Sequence, residues 1–150
     1  MRGQGGVVLK EEWGRWISDF AKWDWFFTGT FRDVSEEERA RGYTQRGPGF
    51  ANSAWYKFIG SLVCPLGVGK WFRVFEYQKF RGSGLGVPHI HGLIENVGDL
   101  RRDEAWKWWF ERYGFARILK YDEKMGAGYY LSKYVTKDLG DIQCGIGLNR

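Results

Sequence analysis

The chain has 150 residues, 43% of them apolar and 27% charged, with a formal net charge of +5. That balance suits one soluble globular domain over residues 1–150, long enough to bury a core. No apolar run approaches the roughly 18 residues of a membrane span, and "MRGQGGVVLK" lacks the pattern of a secretory signal, so no membrane and a cytoplasmic location are expected.

Along "LKEEWGRWISDFAKW" (9–23), Trp13, Trp16, Ile17 and Phe20 recur at helical spacing, which predicts an amphipathic first helix. "WDWFFTGTFR" (23–32), rich in aromatic residues and Thr, reads as a strand. Ser35 and Glu38 are spaced as a capping box over at most a short helix. In "GPGFANSAWYKFIGSLV" (47–63), Pro48 is placed to open a helix with Ala51, Trp55, Phe58, Ile59 and Leu62 on its apolar side.

"KWFRVFEYQKF" (70–80) and "PHIHGLIENV" (88–97) read as two strands joined by a Gly-rich loop. Asp99 is expected to cap the helix "LRRDEAWKWWFERY", which Gly114 stops. "FARILKY" is a fourth strand, and "EKMGAGYYLSKYVTKD" a last helix with glycines weakening its start. Without its first and last helices the order is β-α-β-β-α-β, so the expected class is α+β, a ferredoxin-like (split βαβ) antiparallel sheet. The histidine strand is then central, and the N-terminal helix and the C-terminal tyrosine helix cover the second sheet face.

Charge and aromatic content are uneven. Residues 1–100 carry 13 Lys/Arg against 11 Asp/Glu, whereas residues 101–137 carry 9 against 5. Nine Trp and eight Tyr lie within an aromatic share of 19%. A cationic region beside aromatic rings suits a phosphate backbone and stacked bases, although a solvated face and an aromatic core account for both equally well. Cys64 and Cys144 match no zinc spacing and are expected to be free thiols.

His89 and His91 are the only histidines. On a strand they share one face with Leu93 and Glu95, while Ile90, Gly92 and Ile94 face the other way. Two imidazoles so placed can converge on one cation with a third ligand from the preceding strand, where Glu76 and Gln78 share a face. Such a set suits Mg²⁺, Mn²⁺ or Zn²⁺ with positions open for a substrate oxygen. In "YYLSKYVTK" (129–137), Tyr130 and Tyr134 stand at i and i+4, as do Lys133 and Lys137, so two phenols share a helix face with cations beside them. A phenol is a poor nucleophile unless its phenolate is stabilised.

Three stretches together resemble the HUH endonucleases, the rolling-circle replication initiators and relaxases. "FFTGTF" (26–31) is similar to their first motif, "PHIHGL" to the metal motif and "YLSKYVTK" to the tyrosine motif. The paired tyrosines look most like initiators of small single-stranded DNA phages and plasmids. The resemblance implies a nickase and strand transferase acting on a single-stranded DNA origin, with His89, His91 and Glu76 (or Gln78) holding Mn²⁺ or Mg²⁺. It implies attack by Tyr130, expected for the first cut, or by Tyr134, with Lys133 and Lys137 balancing charge. Thr28, Thr30, Arg81, Arg101, Arg102, Lys120 and Lys124 are the expected DNA contacts.

A monomer is expected, and because no P-loop is encoded, a host helicase and polymerase are the expected partners. "CPLGVGKW" has Cys64 where a P-loop needs Gly and Trp71 where it needs Ser or Thr. A relaxase or single-strand transposase would use the same chemistry. A non-catalytic single-strand binding module would need neither the histidine pair nor the tyrosine pair.

Overall fold

In the computed structural model, which describes residues 12–42, 46–63, 69–77, 87–135 and 142–146 without the side chains of 132–135 and 146, the first helix α1 spans 12–20. Ile17 is buried, whereas Trp16 lies outside, 47% exposed, stacked on Phe20 at 5.3 Å. Strand β1 (Trp23–Gly29) follows. The short helix α2 (Glu36–Ala40) carries the full capping box: Ser35 Oγ accepts from the Glu38 N–H, and the Glu38 carboxylate accepts from the Ser35 N–H. Helix α3 (Pro48–Phe58) opens on its proline and ends in a π-helical turn, Ile59–Val63. Strands β2 (Lys70–Tyr77) and β3 (Pro88–Glu95), helix α4 (Arg102–Arg112), strand β4 (Ala116–Lys120) and helix α5 (Gly126–Val135) come next.

Two local expectations change. Asp99 does not cap α4: it stands in a turn in which the Leu100 N–H bonds back to the Val97 carbonyl, and the helix starts later, with Arg101 at the N-cap and no side-chain cap. A fifth strand, β5 (Ile142–Ile146), was not expected after the tyrosine helix. It pairs with β2, and its Gln143 accepts a 2.6 Å hydrogen bond from Arg73, whose guanidinium also donates to Asn52 on α3 at 2.7 Å. Arg73, only 6% exposed, thereby ties β5 and α3 to the sheet.

The protein is α+β, with one five-stranded sheet in the order β4-β1-β3-β2-β5 and every neighbouring pair antiparallel. Strand β3, which carries the histidines, is central. On one face α3 and α4 cover Trp25, Phe27, Trp71, Phe75, Ile90 and Ile94 with Trp55, Phe58 and Trp109. These rings meet mostly tilted or edge-on at 4.8–6.1 Å, the arrangement aromatic quadrupoles favour. The glycine that follows the histidines belongs to this packing, because a Cβ on Gly92 would come within 2.6 Å of the Trp55 ring.

On the other face α1 and α5 cover Trp23, Phe72, Val74 and Leu93 with Ile17, Ala127 and Leu131. A register shift between Trp23 and Trp25 sends these two indoles to opposite faces. The helices α1 and α5 approach closely where they lack side chains: a Cβ on Gly14 would lie 3.1 Å from the Gly128 Cα. Ser18 Oγ accepts from the Ala127 N–H at 3.0 Å, which satisfies a donor in the first turn of α5. Among the described residues no helix is long and apolar enough to cross a membrane.

Candidate functional site

The alternation of β3 delivers His89, His91 and Leu93 to the α1/α5 face. The β2 register puts Glu76 opposite His89 and Val74 opposite His91, and β1 puts Thr28 opposite His91 from the other side. His91 is 3% exposed and is held at both ring nitrogens: Nδ1 lies 3.3 Å from Thr28 Oγ1, and Nε2 lies 3.2 Å from Glu76 Oε1. Its ring lies parallel to that of Phe26, with centroids 6.4 Å apart.

Those two contacts limit the chemistry. A carboxylate oxygen accepts, so either a hydrogen on Nε2, which the neutral ring can carry, or a metal ion lies between Glu76 and His91 Nε2. With a metal there, Nδ1–H would donate to Thr28 Oγ1, the outer hydrogen bond that orients a ligating imidazole. The 3.2 Å separation is that of a hydrogen bond, and the same two atoms would be the ones to hold a divalent ion.

His89 is the third expected donor. Burial lowers its pKa from the usual 6.5, and the Glu76 charge opposes that only in part, so the ring is a neutral potential ligand at pH 7. Among the described residues, however, no three His, Cys, Asp or Glu side chains converge on one point. The backbone puts His89, His91 and Glu76 on adjoining positions of one face, and the Glu76 carboxylate is close enough to His89 to act on its charge. Gln78 lies outside the described residues.

Tyr130 reaches the same face. Its ring packs 5.0 Å from Phe26 and 5.3 Å from Tyr121, and its hydroxyl accepts a hydrogen bond from the Asp122 N–H at 3.0 Å. The Tyr121 N–H bonds to the Asp24 carbonyl, so the hydroxyl is anchored at the Asp24 end of β1. From Asp24 to Thr28, which flanks His91, is roughly 13 Å along a strand. Tyr134 stands one turn further along α5, and the chain re-enters the sheet at Ile142, opposite Val74, itself opposite His91. The side chains of Lys133 and Tyr134, and the whole of Lys137, lie outside the described residues. Tyr129 is 65% exposed.

The expected DNA contacts are scattered. The Thr28 hydroxyl is taken up by His91, and Thr30 Oγ1 both donates to the Phe115 carbonyl and accepts from its N–H. Arg101, Arg102, Trp25, Leu100 and Asp103 line an open cleft of about 570 Å³ at the start of α4, with Arg101 paired to Asp103 at 2.7 Å. Lys120 pairs with Trp25 in the strand register, so it stands at that same end of the sheet, away from the histidines. Lys124 is exposed just before α5. Arg81 and Cys64 lie outside the described residues, and Cys144 on β5 is a free thiol.

Sequence reasoning missed the roles of Phe26 and Thr28. The period-two alternation that places Trp25 and Phe27 on one face of β1 puts these two on the other, and only the strand order shows that His91 is their neighbour. Comparison of the chain with protein-family models, with curated proteins and with solved structures returned no match.

Proposed function

We propose that the protein is a single-strand DNA endonuclease and strand transferase of the HUH type, with strands β4-β1-β3-β2 as a ferredoxin-like unit and β5 as an addition. One observation carries this reading: His91, fixed between Thr28 of the first motif and Glu76, shares its sheet face with the helix that bears the two tyrosines. The three stretches that carry the sequence resemblance, far apart in the chain, thus adjoin on one face.

His91 and Glu76, joined by His89 on the same sheet face, would hold the divalent ion. When bound, Mn²⁺ or Mg²⁺ supplies Lewis acidity to a non-bridging oxygen of the scissile phosphate. Thr28 keeps His91 in the ligating orientation, and Phe26 closes one side of the ring against water. The attacking group is a tyrosine of α5. Its phenolic oxygen forms a bond to phosphorus as the bond to the 3′ oxygen breaks, and the phenolic proton passes to that leaving oxygen. The products are a 3′-hydroxyl and a 5′-phosphotyrosine, which a later 3′-hydroxyl reverses.

The anchored hydroxyl of Tyr130 favours Tyr134 for the first attack, contrary to the expectation from the motif alone. Tyr134-Val135-Thr136-Lys137 repeats the spacing of Tyr130 and Lys133, so the cation argument does not distinguish the two tyrosines. Tyr130 then serves as the second acceptor, once its bond to Asp122 is released.

The test is incubation of the protein with single-stranded circular DNA and Mn²⁺. Linearised circles with protein on the 5′ end are expected, with relaxed duplex spared and His91→Ala inactive. Cutting that persists in His91→Ala, or that needs no divalent ion, would reject the reading. A phage or plasmid replication role, rather than conjugation or transposition, rests on the resemblance of the tyrosine pair alone.

A further inference from the structure

The outer side of α4 carries aromatic rings that the core does not use. Trp106 is 40% exposed and stacks on Phe110, centroids 4.9 Å apart and planes 9° from parallel. Phe110 meets Phe115, which is 66% exposed, at 5.7 Å. The guanidinium of Arg32 lies over the Phe110 ring at 5.0 Å. Arg102 begins the same helical stripe, one turn before Trp106. Two of the three acidic groups of α4 are engaged beside this stripe, Asp103 with Arg101 and Glu111 with Lys107 and Arg112, and Glu104 is exposed in the first turn.

The row also has a direction. Helix α4 runs from the Ile118 end of β4 toward Thr30, whose carbonyl accepts from the Trp109 indole. Phe115 is clamped there by Thr30 through both its N–H and its carbonyl. In the sheet, Ala116, Gly29 and Ile90 form one row across β4, β1 and β3. Phe115 and His89 therefore stand one residue beyond that row on strands two apart, which puts their backbones roughly 10 Å from each other.

We infer that Trp106, Phe110 and Phe115, with Arg32 and Arg102, form a stacking track for single-stranded nucleic acid along the outer side of α4. The track finishes at the end of the sheet where the histidine strand also begins, with the histidines on the opposite face. The outer face of Trp106 and the Phe115 ring are open to any base, Phe110 backs Trp106, and the cations meet the phosphates between them, so the track is tolerant of sequence. Thr30 is a positioning residue that holds Phe115 and does not itself touch the strand. The inference rests on the proposed nuclease only for what happens at the far end of the track. Binding along it needs no metal and no cleavage.

The test is fluorescence anisotropy of a fluorescein-labelled oligo(dT) with the whole chain in EDTA and low salt, paired with sedimentation of the free protein. Trp106→Leu and Phe115→Leu keep the apolar area but remove the ring, and each should weaken binding roughly 10-fold, while Trp106→Phe restores most of it. Both sites are exposed, so melting curves should match the parent chain. Unchanged affinity in both leucine variants, or no oligo(dT) binding by the parent chain, would overturn the track. So would a parent dimer that Trp106→Leu dissociates, because the rings would then serve a second copy. Loss of binding in the variants sustains it even if no DNA is ever cut, an outcome that would remove only the nuclease reading.

Discussion

The two faces of the sheet are built differently. Under α3 and α4, large rings interlock, and the buried charge there, Arg73, is engaged by Asn52 and Gln143. Under α1 and α5 the apolar cluster is smaller, and it surrounds a buried imidazole with a hydroxyl on one nitrogen and a carboxylate on the other. Burying an imidazole beside a carboxylate costs free energy that leucine packing would not, and the two hydrogen bonds on the ring offset that only in part. The first face holds the molecule together. The second keeps donors poised.

Substitutions on the two faces should therefore separate stability from activity. The largest effect is expected from Trp109→Ala, which removes a fully buried ring that contacts Phe27, Phe31 and Phe58. It should cost about 3–5 kcal/mol in urea unfolding, with Mn²⁺ affinity per folded molecule little changed, since Trp109 touches none of the groups around His91. A stable Trp109→Ala that no longer binds Mn²⁺ would break the division between the faces.

Thr28→Val, on the other face, removes the hydroxyl from His91 Nδ1 while keeping the shape. Affinity for Mn²⁺, read from the metal-induced rise in melting temperature, should fall about 10-fold, the low end for an outer-shell partner. Unfolding of the metal-free protein should change by only about 1 kcal/mol. Equal metal affinity in this variant would mean that Thr28 does not orient a ligand.

The smallest effect sharpens the same contrast. Burial lowers the His89 pKa below 6.5, so the unfolded chain binds a proton more readily than the folded one. Stability then rises with pH across this range, and the metal-free protein loses stability as pH falls below about 6.5. His89→Asn removes that group, and its melting temperature should fall less between pH 7 and pH 5 than that of the parent chain. A steeper fall in the variant would reverse the assigned direction.

Much of this division could be read from local pattern. The alternation of "PHIHGLIE" assigns the histidines and the isoleucines to opposite faces, and the i, i+4 spacing puts two tyrosines on one side of a helix. What pattern could not supply was long-range pairing. β5 is only five residues long, and it is held beside β2 by its backbone ladder and by Gln143 meeting Arg73. The close crossing at Gly14 and Gly128 looks, in sequence, like helix weakness. The anchor on Tyr130 comes from a backbone N–H at Asp122, which no side-chain motif encodes. Asp99 has the right chemistry for a cap, but the turn through Val97–Leu100 delays the helix past it.

If a tyrosine of α5 attacks a phosphate held at the His91–Glu76 pair, as proposed, the covalent adduct will carry the nucleotide on that tyrosine. The protein would be incubated with 3′-labelled single-stranded DNA and Mn²⁺, digested with trypsin, and the nucleotide-bearing peptide sequenced by mass spectrometry. The phosphotyrosine is expected at Tyr134, with Tyr134→Phe losing most of the adduct, Tyr130→Phe keeping it, and the double variant forming none. An adduct at Tyr129 or elsewhere off Tyr130 and Tyr134, or one that survives in the double variant, would contradict the account.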